Sequence, residues 1–111
     1  MGDLEQAQHF ADLMSSVGPI SVRRFFGGWA LIARRVQFAI VMDTMYFVAC
    51  ERLRGGRPFS YQKAGRRVQV SRYVAPPQDA LDDAEQLVEF ARAAIEAAAV
   101  APRRGSRPTS A

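Results

Sequence analysis

The sequence predicts an α+β domain in which helices cover one face of an antiparallel sheet. A helix-spaced apolar stripe begins the chain, six short β-rich runs fill its middle, and a second long helical pattern follows. With 111 residues, 49% hydrophobic and 23% charged, the chain has the size and composition of one domain with its own core. We expect that domain over residues 1–101, followed by a disordered basic tail at 102–111 that lacks large apolar residues.

The first element is predicted to be an amphipathic helix over 3–17. Its apolar stripe comprises Leu4, Ala7, Phe10, Ala11, Met14 and Val17. Asp3 followed by Gln6 matches a capping box, and Gly18-Pro19 is a helix stop signal. His9 falls on the polar side, where we expect a solvated surface histidine.

The middle of the chain predicts an antiparallel meander, because short runs rich in β-branched and aromatic residues alternate with turn residues. The runs are 20–26, 29–35, 36–42, 45–50, 58–63 and 66–74. Gly27-Gly28, Asp43-Thr44 and Ala64-Gly65 are predicted tight connections, with glycine supplying positive φ where a hairpin needs it. Residues 29–42 fit either one long bent strand or two strands joined near Arg34-Arg35.

The last element is predicted to be a helix over 79–100. Its central apolar face comprises Ala84, Val88, Ala91, Ile95 and Ala98, with Leu87, Phe90 and Ala94 beside it. Asp82 followed by Glu85 matches a capping box, so residues 77–81 are expected to form a separate turn. The helix should pack on the same face of the sheet as the first one.

Charge is distributed unevenly along the chain, whose net charge is +4. Residues 23–72 contain eleven bases and two acids, whereas residues 1–22 carry −3 and residues 73–101 carry −5. The candidate basic surface comprises Arg34, Arg35, Arg66, Arg67 and Arg72. Two interpretations stay open: the block attracts nucleic acid or an acidic protein, or it is a solvated sheet face that attracts the chain's own acidic helices.

Several classes of function lack the residues they need. One cysteine, Cys50, and one histidine, His9, supply neither a disulfide nor a structural zinc site. Phosphate-binding glycine motifs and paired carboxylates are absent as well. We therefore predict no catalytic residue, no cofactor and no metal. Because Asp43 interrupts the longest apolar run and the start of the chain is acidic, we expect a cytoplasmic protein without membrane association.

The segment RRFFGGW at 23–29 is the densest group of functional side chains. Its arginines could hold phosphates or carboxylates while exposed rings stack on bases. Alternatively, Phe25 or Phe26 fills the core together with Trp29, and the two glycines form a corner between strands. Strand alternation predicts that Arg23 and Phe25 share one face and that Arg24 and Phe26 share the other.

Four sequence blocks resemble the N-terminal domain of the TfoX/Sxy family of bacterial competence regulators, over about residues 4–96. The blocks are GPISVRRFFGGWALI, QFAIVMDTMYF, PFSYQKAGRRVQVSRYVAPP and LDDAEQLVEFARAAI. The resemblance implies an α+β fold with an antiparallel sheet and brings no catalytic residues. It identifies a family signature, which is also the candidate interaction site: Arg23, Arg24, Phe26, Gly27 and Gly28.

Members of this family promote expression of DNA-uptake genes by assisting a cyclic-AMP receptor protein at promoters. The resemblance thus implies a non-enzymatic regulatory domain that acts through protein contacts, with a cyclic-AMP receptor protein-like partner in the transcription machinery. The alternative is a small basic domain that binds DNA directly through its arginine-rich sheet face and tail.

The segment 50–57 is several residues shorter than the corresponding family linker, which usually holds a short helix, so we expect a loop there. We also expect a monomer or a weak homodimer, because an exposed edge strand can pair with a second copy of itself.

Overall fold

A computed structural model of the chain describes residues 4–100, and the predicted tail at 102–111 lies outside them. Two helices and six strands follow one another within this range, with short 3₁₀ helices at Ser15–Val17, Glu51–Leu53 and Gln78–Asp82. The helices and strands are α1 (Leu4–Leu13), β1 (Ser21–Phe25), β2 (Gly28–Ala33), β3 (Val36–Val41), β4 (Met45–Val48), β5 (Pro58–Lys63), β6 (Arg66–Val74) and α2 (Ala84–Val100). The predicted α+β class and antiparallel sheet are confirmed.

All six strands form one antiparallel sheet in the order β1-β2-β3-β4-β6-β5. The first four strands form the predicted meander, but β6 rather than β5 lies beside β4. The connection between β4 and β5 is too long for a tight hairpin, and it carries the chain past the position next to β4. The strand order therefore departs from a simple meander at its last two strands.

Two hairpins close through consecutive residues with positive φ, the geometry that matches the right-handed twist of the strands. Ala64 and Gly65 have φ of 52° and 78° between β5 and β6. Arg34 and Arg35 have φ of 53° and 68° between β2 and β3. Residues 29–42 are thus two strands with a turn at the arginine pair.

Both helices pack on one face of the sheet. In α1 the stripe side chains Ala7 and Phe10 are buried, but the α-helix ends at Leu13 and the chain continues as a 3₁₀ turn rather than as the predicted single helix over 3–17. In α2 the Phe90 ring lies 6.0 Å from the ring of Phe47 on β4. The buried side of α2 comprises Leu87, Phe90, Ala91, Ala94 and Ile95.

The cap of α2 is Asp83, one residue later than predicted. The Gln86 backbone N–H donates to Asp83 Oδ1 at 3.2 Å, and Gln86 Nε2 donates to Oδ2 at 3.0 Å. These hydrogen bonds lower the pKa of the Asp83 carboxyl. Asp82 instead belongs to the preceding 3₁₀ helix. The other predicted capping box involves Asp3, which lies outside the described residues.

Irregular pairing at two places accompanies the curvature of the sheet. Leu31 pairs with Ala39 and Ile32 with Gln37, which leaves Phe38 as an additional residue in β3. In β5, Pro58 pairs with Val74 but Phe59 pairs with Val70, so β6 contains a longer irregularity there. On the sheet face opposite the helices, side chains of β5 and β6 consequently lie close to side chains of β1.

Candidate functional site

A cleft of about 550 Å³ lies on the sheet face opposite the helices, between the β1–β2 turn and the β5–β6 hairpin. Aromatic and aliphatic side chains dominate its lining, and Lys63 is the charged side chain among them. The lining residues are Phe25, Phe26, Gly27, Ile40, Met42, Phe59, Tyr61, Lys63, Val70 and Tyr73. The cleft therefore offers a concave apolar surface with a cation beside it.

Phe26 lies at the mouth of this cleft with 84% of its surface exposed. Strand β1 ends at Phe25, and Phe26 adopts a φ of 53°, which is rare for a bulky residue. This turn places the Phe26 ring edge-on to the Phe25 ring, with centroids 4.7 Å apart. The prediction that Phe26 shares a face with Arg24 is wrong, because the positive φ interrupts strand alternation and brings both phenyl rings to the cleft.

The two signature glycines have different surroundings. The predicted positive φ belongs to Phe26 and not to Gly27 or Gly28. A Cβ on Gly27 would meet no atom within 4 Å. A Cβ on Gly28 would overlap the Val41 carbonyl oxygen and approach Met42 Sδ to 2.5 Å. Gly28 is therefore required for the close approach of β2 to β3.

The two signature arginines also differ. The Arg24 guanidinium lies over the indole of Trp29, 5.2 Å from the ring centroid. Trp29 is partly buried and pairs with Arg24 across β1 and β2, on the helix-covered side. Arg23 lies on the other side of β1, with Phe25, and its side chain has no hydrogen-bond, ion-pair or ring partner among residues 4–100. Of the pair, Arg23 is the one available to a ligand.

The predicted basic surface is divided among three parts of the fold. Arg34 and Arg35 form the β2–β3 turn, Arg66 and Arg67 begin β6, and Arg72 lies in its irregular part. All five side chains are exposed. Arg67 Nε donates to Ser60 Oγ at 3.1 Å, and the Arg72 guanidinium lies 5.9 Å from the Tyr73 ring centroid.

Three hydrogen-bonded side chains that the sequence did not predict, Asp43, Tyr46 and Arg57, support one side of the cleft. The buried Tyr46 hydroxyl donates to Asp43 Oδ1 at 3.0 Å and accepts from Arg57 Nη1 at 3.4 Å. The Tyr46 ring packs edge-on against the Phe59 ring, 5.1 Å away. Burial, and then the hydrogen bond to Asp43, raise the pKa of Tyr46. The Asp43-x-x-Tyr46 spacing is a local signal, but nothing local indicates Arg57.

The shortened segment 50–57 contains one turn of 3₁₀ helix, Glu51–Leu53, where a loop was predicted. Leu53 is buried and anchors this turn in the core. Ion pairs join Arg52 to Glu89 at 3.2 Å and Arg54 to Glu51 at 2.6 Å, all exposed to solvent. The segment is thus attached to the core through Leu53 and to α2 through the Arg52–Glu89 ion pair.

Among residues 4–100, His, Cys, Asp and Glu side chains form no group of three that could hold a metal ion. Cys50 is a partly buried free thiol packed against the core, and His9 is exposed on α1. Within the same range, no helix has the length and apolarity that a membrane crossing needs.

These features define a small α+β domain whose helix-free sheet face carries an aromatic cleft. The family model for the TfoX N-terminal domain matches residues 12–98, so the chain belongs to that family. The signature residues Arg23, Arg24, Phe26, Gly27 and Gly28 all lie within the match. A comparison with curated proteins finds no match.

Proposed function

We propose that this domain is a non-enzymatic regulatory module that acts through protein contacts in transcription regulation, in the cytoplasm. The observation that carries the proposal is the exposed Phe26 ring at the mouth of an apolar cleft. Exposed aromatic side chains beside an apolar depression are typical of protein-binding surfaces. On this proposal, two signature residues, Phe26 and Arg23, bind the partner. Two others, Arg24 and Gly28, stabilise the fold.

The strands are basic and the helices are acidic, and this distribution of charge favours a partner with an acidic surface. Residues 23–72, which include all six strands except the ends of β1 and β6, carry +9. The remaining described residues contain eight acids and one base, Arg92. Such a field orients an incoming acidic surface toward the strands and away from the helices.

Direct binding of nucleic acid is the second candidate function. It is supported by Arg34, Arg35 and Arg66, whose side chains are exposed and have no hydrogen-bond, ion-pair or ring partner within residues 4–100. Against it, six of the eleven bases in 23–72 already contact neighbours in the fold. These six are Arg24, Arg52, Arg54, Arg57, Arg67 and Arg72.

By resemblance, the protein partner is a cyclic-AMP receptor protein-like activator at a promoter. The test is biolayer interferometry of the full chain on two surfaces: this activator bound to its promoter site, and the same promoter DNA alone. We expect binding to the activator–promoter complex and little binding to the naked DNA. Equal binding to both surfaces, falling steeply with salt, would establish the nucleic-acid alternative instead. Binding to neither would reject this partner.

A further inference from the structure

We propose that the cleft binds an acidic peptide segment of a partner protein and takes up one large apolar side chain of that segment. This inference rests on the proposed function and specifies the partner's chemistry at the site. The occupant is a segment with aromatic or aliphatic anchors flanked by Asp or Glu.

The shape and lining of the cleft fit an apolar anchor. Its volume of about 550 Å³ accommodates a large side chain together with its neighbours. Phe59 and Tyr61 stack with centroids 6.0 Å apart on one side, and Phe25 and Phe26 meet edge-to-face at 4.7 Å on the other. A ring inserted between these two pairs would lose its water and gain aromatic contacts on both sides.

The charges around the cleft are cationic. Lys63 lines it and pairs with Arg66 across the β5–β6 hairpin, so both lie on the cleft side of their strands, as Arg23 does on β1. The side chains of these three bases have no hydrogen-bond, ion-pair or ring partner within the described residues. The carboxylate of Asp43 already accepts hydrogen bonds from the Tyr46 hydroxyl and the Thr44 backbone N–H. An acidic segment complements this rim.

The chain's own tail does not match these requirements. Residues 102–111, PRRGSRPTSA, contain three arginines, no acid and no large apolar side chain. They would be repelled by the cationic rim and would leave the apolar lining unfilled. The occupant is therefore a segment of another protein.

Phe26 indicates a macromolecule rather than a small ligand. A small molecule inside the cleft would leave most of this ring, which is 84% exposed, in water. A peptide that continues past the mouth would cover the ring and bury it. The positive φ that Phe26 adopts costs free energy for a bulky residue, and residues held in such conformations cluster at functional sites.

The test is selection of a displayed random peptide library on the immobilised full chain. We compare Phe26→Asn and Lys63→Glu with Leu4→Ser, which replaces an exposed apolar side chain on α1, on the other face of the fold. Asparagine tolerates positive φ, so Phe26→Asn removes the ring without straining the turn. We expect selected peptides to combine Asp or Glu with aromatic or aliphatic residues. Their affinity should fall by about tenfold or more in Phe26→Asn and Lys63→Glu and stay unchanged in Leu4→Ser.

Three outcomes would overturn the inference: no enriched peptide, enriched peptides without acidic residues, or peptides insensitive to both cleft substitutions. The proposed function is judged separately, by binding to the activator–promoter complex. If that complex binds wild type and Phe26→Asn equally, the domain binds the proposed partner through another surface and the cleft inference fails. If peptides bind as expected but the complex does not, the cleft inference stands and the proposed partner fails.

Discussion

The guanidinium of Arg24 stacks over the indole of Trp29, 5.2 Å from its ring centroid, while the adjacent Arg23 contacts no such partner within the described residues. Replacing Arg24 with Ala should therefore lower the free energy of unfolding by roughly 0.5 to 1 kcal/mol, the usual contribution of an exposed cation–π pair. Arg23→Ala should leave stability unchanged and weaken partner binding. Urea unfolding and a binding isotherm of each variant check this; equal destabilisation by both would contradict the distinction.

Gly28 and Gly27 provide a second matched pair. Gly28→Ala should destabilise the domain by about 1 to 3 kcal/mol, because its Cβ would overlap the Val41 backbone carbonyl, which cannot move without separating β2 from β3. Gly27→Ala should be tolerated, since the space around its Cβ is open. Thermal unfolding followed by circular dichroism measures both. A Gly28→Ala protein as stable as Gly27→Ala would show that the two strands do not approach so closely.

Asp83, the N-cap of α2, should make the stability of the domain depend on pH in the acid range. Hydrogen bonds from Gln86 hold the pKa of Asp83 below its ordinary value. The stabilisation from this carboxylate is thus present above the ordinary carboxyl pKa and is lost as the pH falls through the lowered one. We expect Asp83→Ala to lower Tm at neutral pH, with a difference from wild type that shrinks in acid. Asp82→Ala is the control and should show no such convergence; melting curves over a pH series distinguish them.

Tyr46 should make the stability of the domain depend on pH in the alkaline range, with the opposite sign. Burial and the bond to Asp43 raise its pKa above 10.0, so its stabilisation is fully present below that pH and is lost as the pH rises through the raised value. Tyr46→Phe should cost about 1 kcal/mol near neutrality, for the lost hydrogen bonds. As the pH rises past 10.0, wild type should lose stability faster than Tyr46→Phe. Chemical unfolding over an alkaline pH series measures this difference. Tyr61→Phe, at an exposed tyrosine, is the control. Parallel stability curves for wild type and Tyr46→Phe would contradict the prediction.

Periodicity was sufficient to predict the types and order of the elements. The apolar stripe of α1 and the β-rich runs carry that information locally, and the bounds of the strands agree with the predicted runs to within two residues. The position of β6 beside β4 could not be predicted, because a long connection does not determine at which edge the next strand pairs. The N-cap of α2 was ambiguous in the sequence, because Asp82 and Asp83 each precede a Glu or Gln by three residues.

The candidate site was predicted in part. The signature at 23–28 indicated the corner, but local preference assigned positive φ to glycine, and the structure assigns it to Phe26. The opposite wall of the cleft, with Phe59, Tyr61 and Val70, lies 33 to 44 residues beyond Phe26 along the chain. It joins the corner only through the curvature of the sheet, which no local pattern encodes.

The most direct measurement compares two variants of the full chain for binding to the activator–promoter complex. One is Phe26→Asn, which removes the ring at the mouth of the cleft; the other combines Arg34→Asn and Arg35→Asn at the β2–β3 turn, where asparagine also tolerates positive φ. We expect the first variant to lose about tenfold or more in affinity and the second to bind nearly as well as wild type. Loss of binding in the arginine variant, with Phe26→Asn unaffected, would contradict it.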